Sequence, residues 1–151
     1  FDSLAHAHVA ITQAVHEALG RDVTLVFGPV DYVGVESTDY LDRIGRALPR
    51  EIEIFWTGRT VCSPEIRTEE AAARAATLQR RLLVWDNVPV SDGPMRPMLH
   101  LGPFARREAG LAQHCSGFLL NTMSRLRRTG VRGVAAPRHS PMNRQGAPFS
   151  G

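Results

Sequence analysis

Four short apolar segments alternate with helix-forming segments along this chain, and this alternation limits the possible folds more than any other feature. The apolar segments are residues 23–27, 51–56, 81–85 and 117–121. Strands that alternate with helices form parallel sheets with helical crossovers. We therefore predict an α/β fold with the order α-β-α-β-α-β-(α)-β.

The segments between these strands have helical periodicity. An amphipathic helix is predicted over Ser3–Leu19, with Ser3 as its N-cap. Its apolar face carries Leu4, His8, Ile11, Val15 and Leu19. A second helix is predicted over residues 38–48, and its inward-facing residues are Tyr40, Leu41, Ile44 and Leu48. An Ala-rich helix should run from Thr68 to Gln79, since its acidic first turn suits the helix dipole, and a further helix is predicted around residues 106–114.

Polar and aromatic residues follow each predicted strand. In parallel sheets, ligands bind beyond the carboxyl ends of the strands. Those ends carry Asp31, Tyr32, Trp56, Thr57, Trp85, Asn87, Asp92 and Asn121. An aromatic ring offers a sugar an apolar face, and amides and carboxylates can hydrogen-bond to its hydroxyls. Taken singly, either tryptophan could be a core residue and Asp92 or Asn121 a turn residue, but together they predict one sugar-binding site.

Four consecutive strand ends of this kind suit a β/α barrel better than an open sheet. A complete barrel needs roughly 250 residues, so four units make about half of one. We predict a partial barrel domain over residues 1–124. An isolated half-barrel would expose strand edges and apolar faces, and should therefore tend to aggregate.

The excess of positive over negative charge in this chain comes from its last segment. The net charge is +3, yet all 15 acidic residues lie at or before Glu108. Residues 125–151 contain six arginines and no acid. This Arg-rich tail has no helical or strand periodicity, which predicts disorder or a shifted reading frame near Ser124. No aromatic residues are interleaved with the arginines, so no nucleic-acid partner is expected.

The remaining composition excludes several classes of protein. No apolar run approaches the roughly 20 residues that span a bilayer, so no membrane partner is expected. No signal peptide opens the sequence, and because the first residue is Phe1 we expect the true N-terminus to be missing. A soluble chain of this kind fits a secreted or a cytoplasmic bacterial-type location. Cys62 and Cys115 are expected to be free thiols, and the six histidines lack metal-ligand spacing, so we expect neither metal nor cofactor.

Five blocks of the sequence resemble motifs of one enzyme family. They are Val26–Tyr32, Phe55–Ser63, Trp85–Asp92, Leu99–Phe104 and Leu119–Met123. In this order and spacing they resemble the catalytic domain of glycoside hydrolase family 84. These are the β-N-acetylglucosaminidases, which include the O-GlcNAcases and some enzymes named hyaluronidases.

The resemblance implies a fold, an activity and a set of site residues. The fold would be the C-terminal part of a (β/α)₈ barrel. The activity would be hydrolysis of terminal β-linked N-acetylglucosamine with retention, in which the substrate's own acetamide oxygen is the nucleophile. Tyr32 would hold the acetamide oxygen, Thr57 and Val61 would line the site, and Trp85 would wall the acetamide pocket. The residues that would bind the sugar hydroxyls are Asn87, Asp92 and Asn121. The partner would be an N-acetylglucosamine-containing glycan or glycoprotein.

The sequence departs from the family pattern at several positions. The adjacent aspartates that perform the family's acid–base chemistry are absent, and Asp2 follows no strand that could make it one of them. Val88, Phe104 and Thr122 replace a tyrosine, a tyrosine and a proline. We therefore expect a glycosidase-type domain that is inactive alone. The alternatives are a non-catalytic sugar-binding remnant and a nonfunctional gene fragment.

Overall fold

The computed structural model describes residues 2–20, 22–87, 90 and 105–121. Four helices alternate with four strands in the predicted order. Their bounds are α1 Asp2–Leu19, β1 Val26–Phe27, α2 Asp39–Ala47, β2 Glu53–Trp56, α3 Thr68–Leu78, β3 Leu82–Asp86, α4 Leu111–His114 and β4 Cys115–Leu120. The Arg-rich tail and the predicted block at 99–104 lie outside the described residues.

The four strands form one parallel sheet in the order β1-β2-β3-β4. Phe55 pairs with Leu83, and Leu83 pairs with Gly117, so the strands end near one another at the same edge. The sequential strand order and the helical crossovers confirm the α/β fold with a parallel sheet. This edge receives the loops that carry the predicted site residues.

The core lies between one face of the sheet and the helices. Alternate residues of β2 and β3 are buried there, among them Ile54, Trp56, Leu82 and Val84. The second helix packs against this face as predicted, with Tyr40, Leu41, Ile44 and Leu48 all buried. Because successive strand residues point to opposite faces, Phe55, Leu83 and Trp85 lie on the other face, where they are half-buried.

The apolar stripe of α1 does not face the core of the described residues. Ile11 is 63% exposed, and Leu4, Val15 and Leu19 are also exposed. The buried side of the helix carries the smaller Ala5 and Thr12 instead. Of the predicted face, His8 is half-buried, with its Nδ1 2.8 Å from the Tyr40 hydroxyl, and the four aliphatic residues are exposed. Ser3 is not the N-cap, since the helix already includes Asp2.

Other predicted elements also have different bounds. The helix expected from residue 106 begins only at Leu111, because Arg106 has a positive φ of 58° and Arg107 forms a parallel bridge with Ile66. The first strand is limited to Val26–Phe27. No helix among the described residues is long and apolar enough to cross a membrane.

Candidate functional site

A cavity of about 400 Å³ lies at the carboxyl ends of the strands. Its volume falls within the range of small-molecule sites, roughly 300–1,000 Å³. Six of the seven predicted site residues line it: Tyr32, Thr57, Val61, Trp85, Asn87 and Asn121. Asp92, the seventh, lies outside the described residues. The structure adds Phe55, Cys62 and Val90 to the lining.

Three aromatic rings from three strand ends form one wall of this cavity. The ring centroids of Tyr32 and Phe55 are 5.8 Å apart, and those of Phe55 and Trp85 are 5.2 Å apart. These distances are typical of favourable aromatic contacts. Phe55 was not predicted as a site residue, although strand alternation places it on the same face as Trp85. The rings present the apolar surface on which a sugar ring can stack.

An amide cluster lies beside the rings. The Oδ1 of Asn87 accepts a hydrogen bond from Trp85 Nε1 at 3.0 Å and another from Asn121 Nδ2 at 2.7 Å. Asn87 Nδ2 donates to the Val61 carbonyl oxygen at 2.8 Å. Asn87 therefore joins the ends of β3 and β4 to the loop after β2. It fixes the indole and the second amide at the cavity wall.

The Tyr32 loop is bound to the neighbouring strand end by its backbone. Thr57 N donates to the Tyr32 carbonyl oxygen at 3.1 Å, and Gly34 N donates to the Gly58 carbonyl oxygen at 2.9 Å. The buried Trp56 donates its Nε1 proton to the Gly34 carbonyl oxygen at 2.7 Å. Trp56 is thus a core residue that supports the site from behind, whereas Trp85 lines it.

A buried arginine from α3 supports the same loop. The guanidinium of Arg74 donates to the carbonyl oxygens of Asp31, Val33 and Gly34 at 3.3, 2.9 and 2.6 Å. Burial lowers the pKa of Arg74, and the nearby Asp31 carboxylate partly opposes this shift. No sequence pattern indicates this role, because Arg74 lies in the middle of an Ala-rich helix.

A buried ion pair lies directly next to the site residues of β3. Arg107 binds both carboxylate oxygens of Asp86, with Nε–Oδ2 and Nη2–Oδ1 distances of 2.6 and 2.8 Å. Only 1% of the Asp86 side chain and 6% of the Arg107 side chain are exposed. The sequence places Asp86 in the block Trp85–Asp92 and predicts Arg107 to be helical, so it does not predict that the two residues form an ion pair.

The described residues that line the cavity have uncharged side chains. None of its described lining residues is an acid, and the sequence contains no pair of adjacent aspartates. Asp31, near the cavity, accepts a hydrogen bond from Thr38 Oγ1 at 2.8 Å. Within the described residues, no group of three histidine, cysteine or acidic side chains could hold a metal. Rings and amides of this kind can bind an uncharged polar ligand.

A larger concavity of about 650 Å³ runs along α2. Its described lining residues come from that helix: Asp39, Asp42, Arg43, Arg46 and Ala47. Charged side chains from a single helix, without an aromatic surface, are not typical of a small-molecule site. The smaller cavity at the strand ends is therefore the candidate site.

Comparison with known proteins points to one family. Residues 2–137 match the sequence profile of the β-N-acetylglucosaminidase family. The chain is 35% identical over 127 residues to the Protein O-GlcNAcase of Rattus norvegicus, and equally to that of Mus musculus. The matched part is 80% of this chain but 14% of each relative, so the chain spans only a small part of their length.

Solved structures show the same relationship. An O-GlcNAc hydrolase mutant from Thermobaculum terrenum superposes with a TM-score of 0.70 at 35% identity, over 80% of this chain and 26% of that one. The protein CpGH84B superposes with a TM-score of 0.56 at 27% identity, over 65% of this chain and 18% of that one.

Proposed function

This chain belongs to glycoside hydrolase family 84, the β-N-acetylglucosaminidases, and we propose that its strand-end cavity binds a terminal β-linked N-acetylglucosamine. The observation that carries the proposal is the convergence of Tyr32, Trp85, Asn87 and Asn121 on one cavity. In this assignment Tyr32 holds the acetamide oxygen and Trp85 walls the acetamide pocket. Thr57 and Val61 line the site, and Asn87, Asp92 and Asn121 contact the sugar hydroxyls.

The four-stranded sheet would be the C-terminal part of a (β/α)₈ barrel. The half-buried face that carries Phe55, Leu83 and Trp85 supports this, because such residues form the packed interior of a closed barrel. The exposed apolar stripe of α1 also supports it, since a neighbouring barrel helix would cover such a surface.

The reaction of the complete site would be substrate-assisted hydrolysis. The acetamide oxygen attacks the anomeric carbon as the bond to the leaving oxygen breaks. An acid protonates that oxygen, and water then opens the cyclic intermediate with net retention. The sequence has no pair of adjacent aspartates to supply the two carboxylates that the family uses for these steps. We therefore propose that this chain alone binds the sugar but does not hydrolyse it. In a complete enzyme the substrate would be an N-acetylglucosamine-containing glycan or glycoprotein.

A titration of the ¹⁵N-labelled chain with methyl β-N-acetylglucosaminide tests the binding step. We expect the indole signal of Trp85 and the side-chain amide signals of Asn87 and Asn121 to shift, with a Kd of roughly millimolar strength because the ligand is small. The indole signal of the buried Trp56 serves as an internal control and should move less. Methyl β-glucoside, which lacks the acetamide, should bind more weakly.

The absence of turnover is tested with nitrophenyl β-N-acetylglucosaminide. We expect no hydrolysis above the rate without protein, since the general acid is missing. Measurable turnover that is lost in Asn87→Ala would contradict the non-catalytic part of the proposal. Failure of the chain to bind the methyl glycoside would contradict the binding part and favour a nonfunctional gene fragment.

A further inference from the structure

The guanidinium of Arg107 connects two of the segments that build the cavity, the end of β3 and the loop after β2. Through its two bonds to the Asp86 carboxylate it binds the end of β3. Its Nη2 also donates to the Ser63 carbonyl oxygen at 2.9 Å, and its Nη1 to the Pro64 carbonyl oxygen at 3.2 Å. Arg107 itself lies in the segment before α4, where its backbone forms a parallel bridge with Ile66. One buried cation thus holds together segments far apart in the sequence.

The Asp86 end of this pair lies between two residues of the cavity wall. Trp85 precedes it and Asn87 follows it, and the backbone carbonyl oxygen of Asp86 accepts a hydrogen bond from Asn121 N at 2.9 Å. A rotation of Asp86 would therefore move the indole, the Asn87 amide and the start of the Asn121 segment together. The two parallel bonds from Arg107 oppose such a rotation, because a guanidinium fork fixes the carboxylate plane.

The bond from Arg107 to the Ser63 carbonyl oxygen contacts the loop that carries Val61. Ser63 lies two residues after Val61, whose side chain lines the cavity and whose carbonyl oxygen binds Asn87 Nδ2. Ser63 Oγ in turn bonds Thr60, accepting from its backbone N at 3.0 Å. Arg107 thus bonds the loop that carries Val61 as well as the end of β3, and the bond from Asn87 Nδ2 to the Val61 carbonyl oxygen joins the same two segments inside the cavity.

We propose that Arg107 is the positioning residue of the sugar cavity, a role that rests on the proposed function. It does not line the cavity, and it acts through Asp86 and Ser63. A residue of this kind affects ligand affinity, because small displacements of binding groups cost much of the contact energy. Lysine at this position would keep the charge, but it is a point donor and cannot bind both Asp86 oxygens and the Ser63 carbonyl oxygen together.

This role is tested in the full chain by measuring the sugar affinity of Arg107→Lys and the NMR signals of its side-chain indole and amide groups. Arg80→Met is the control, since Arg80, in the turn between α3 and β3, also bonds several carbonyl oxygens, but these belong to the end of α2 and the connection to β2, away from the cavity. In the absence of sugar, we expect Arg107→Lys to shift the Trp85 indole and the Asn87 and Asn121 amide signals. It should also weaken binding of methyl β-N-acetylglucosaminide roughly fivefold.

The control distinguishes positioning from a general loss of stability. The two variants are compared under conditions in which the same fraction of each is folded. Arg80→Met should then leave the Trp85 indole signal, the Asn87 and Asn121 amide signals and the sugar affinity close to those of the unchanged chain. The inference is overturned if Arg107→Lys leaves the sugar affinity unchanged, or if both variants weaken binding equally. If the unchanged chain itself fails to bind the sugar, the proposed function is contradicted, and the positioning role is contradicted with it. Asp86→Asn, which removes the charge from the other partner, should repeat the effect of Arg107→Lys.

Discussion

The side-chain amide of Asn121 donates to the side-chain oxygen of Asn87 at 2.7 Å, although 34 residues separate the two in sequence. The bond joins the ends of two adjacent parallel strands, and the same oxygen receives the indole proton of Trp85. Asn87 therefore organises two other site residues in addition to facing the cavity itself. The carboxyl ends of β3 and β4 are therefore joined by side-chain hydrogen bonds as one unit.

Removing the Asn87 amide should loosen the cavity wall. We expect Asn87→Ala to reduce the free energy of unfolding by roughly 1–3 kcal/mol, because two donors lose the oxygen that they share. Asn121→Ala removes one of the two donors and leaves the Asn87 oxygen bonded to the Trp85 indole, so it should destabilise less. Urea unfolding of both variants measures the difference. Equal destabilisation by the two changes would show that the shared oxygen is unimportant.

Gly58 should tolerate no side chain. Its φ of +95° is unfavourable for other residues, and a Cβ there would lie 2.2 Å from Ser63 Oγ. We expect Gly58→Ala to destabilise the chain by about 2–4 kcal/mol, since strain and a steric clash combine. Gly20→Ala is the matched control. Gly20 also has a positive φ of +72°, but no atom lies within 4 Å of the added methyl group, so about 1 kcal/mol is expected. Thermal unfolding of the two variants separates the clash from the backbone strain.

Arg80 should stabilise the fold strongly by donating hydrogen bonds to backbone carbonyl oxygens. Its guanidinium donates to the carbonyl oxygens of Gly45, Leu48, Pro49, Ile52 and Leu78. These include the last carbonyls of α2, which have no partners within the helix. We expect Arg80→Met to cost about 2–4 kcal/mol in urea unfolding. Arg50→Met, which removes one exposed bond to Gln79, should cost less than about 0.5 kcal/mol. A similar cost for both would indicate that the carbonyl contacts add nothing.

Stability should fall at alkaline pH because of the Cys115 thiol. Burial raises the pKa of Cys115 from 9.0 to about 11, so the folded state retains a proton that the unfolded state releases. The contribution of the thiol is fully present below pH 9 and is lost as the pH rises towards 11. The loss should be on the order of 2 kcal/mol.

Urea unfolding at pH 8 and at pH 10.5 measures this loss. Burial also raises the pKa of Tyr40, so some alkaline loss should persist in every variant. Cys115→Ala should show a smaller pH dependence than the unchanged chain, whereas Cys62→Ala should retain the full dependence. An unchanged pH dependence in Cys115→Ala would assign the alkaline loss to other groups.

Local patterns were enough to predict the order of the elements and much of the core. The periodicity of residues 38–48 identified the buried face of α2, because that helix packs on the sheet by the side that its own sequence makes apolar. The same argument gave the wrong side for α1, whose apolar stripe is exposed in the described residues. Periodicity identifies an apolar face, but it does not state which neighbour will cover it.

The supports of the site could not be predicted from sequence. Arg74 and Arg107 bind backbone carbonyl oxygens and a carboxylate more than 20 residues away, and nothing in their local sequence distinguishes them from the exposed arginines. Long side chains reach partners that only the packing of loops brings within hydrogen-bonding distance. Their roles therefore depend on tertiary structure.

The alternating elements, the parallel sheet and the polar and aromatic residues at the strand ends can all be predicted from the chain's local patterns. Which of those residues share a cavity depends on how the strands pack. Trp56 and Trp85 both end apolar strands, yet Trp56 is 1% exposed and supports the Gly34 loop, while Trp85 lines the cavity. The physical reason is the register of β2 and β3. Trp56 pairs with Val84, which places Trp56 on the helix side of the sheet, and the next residue along β3 points to the opposite face.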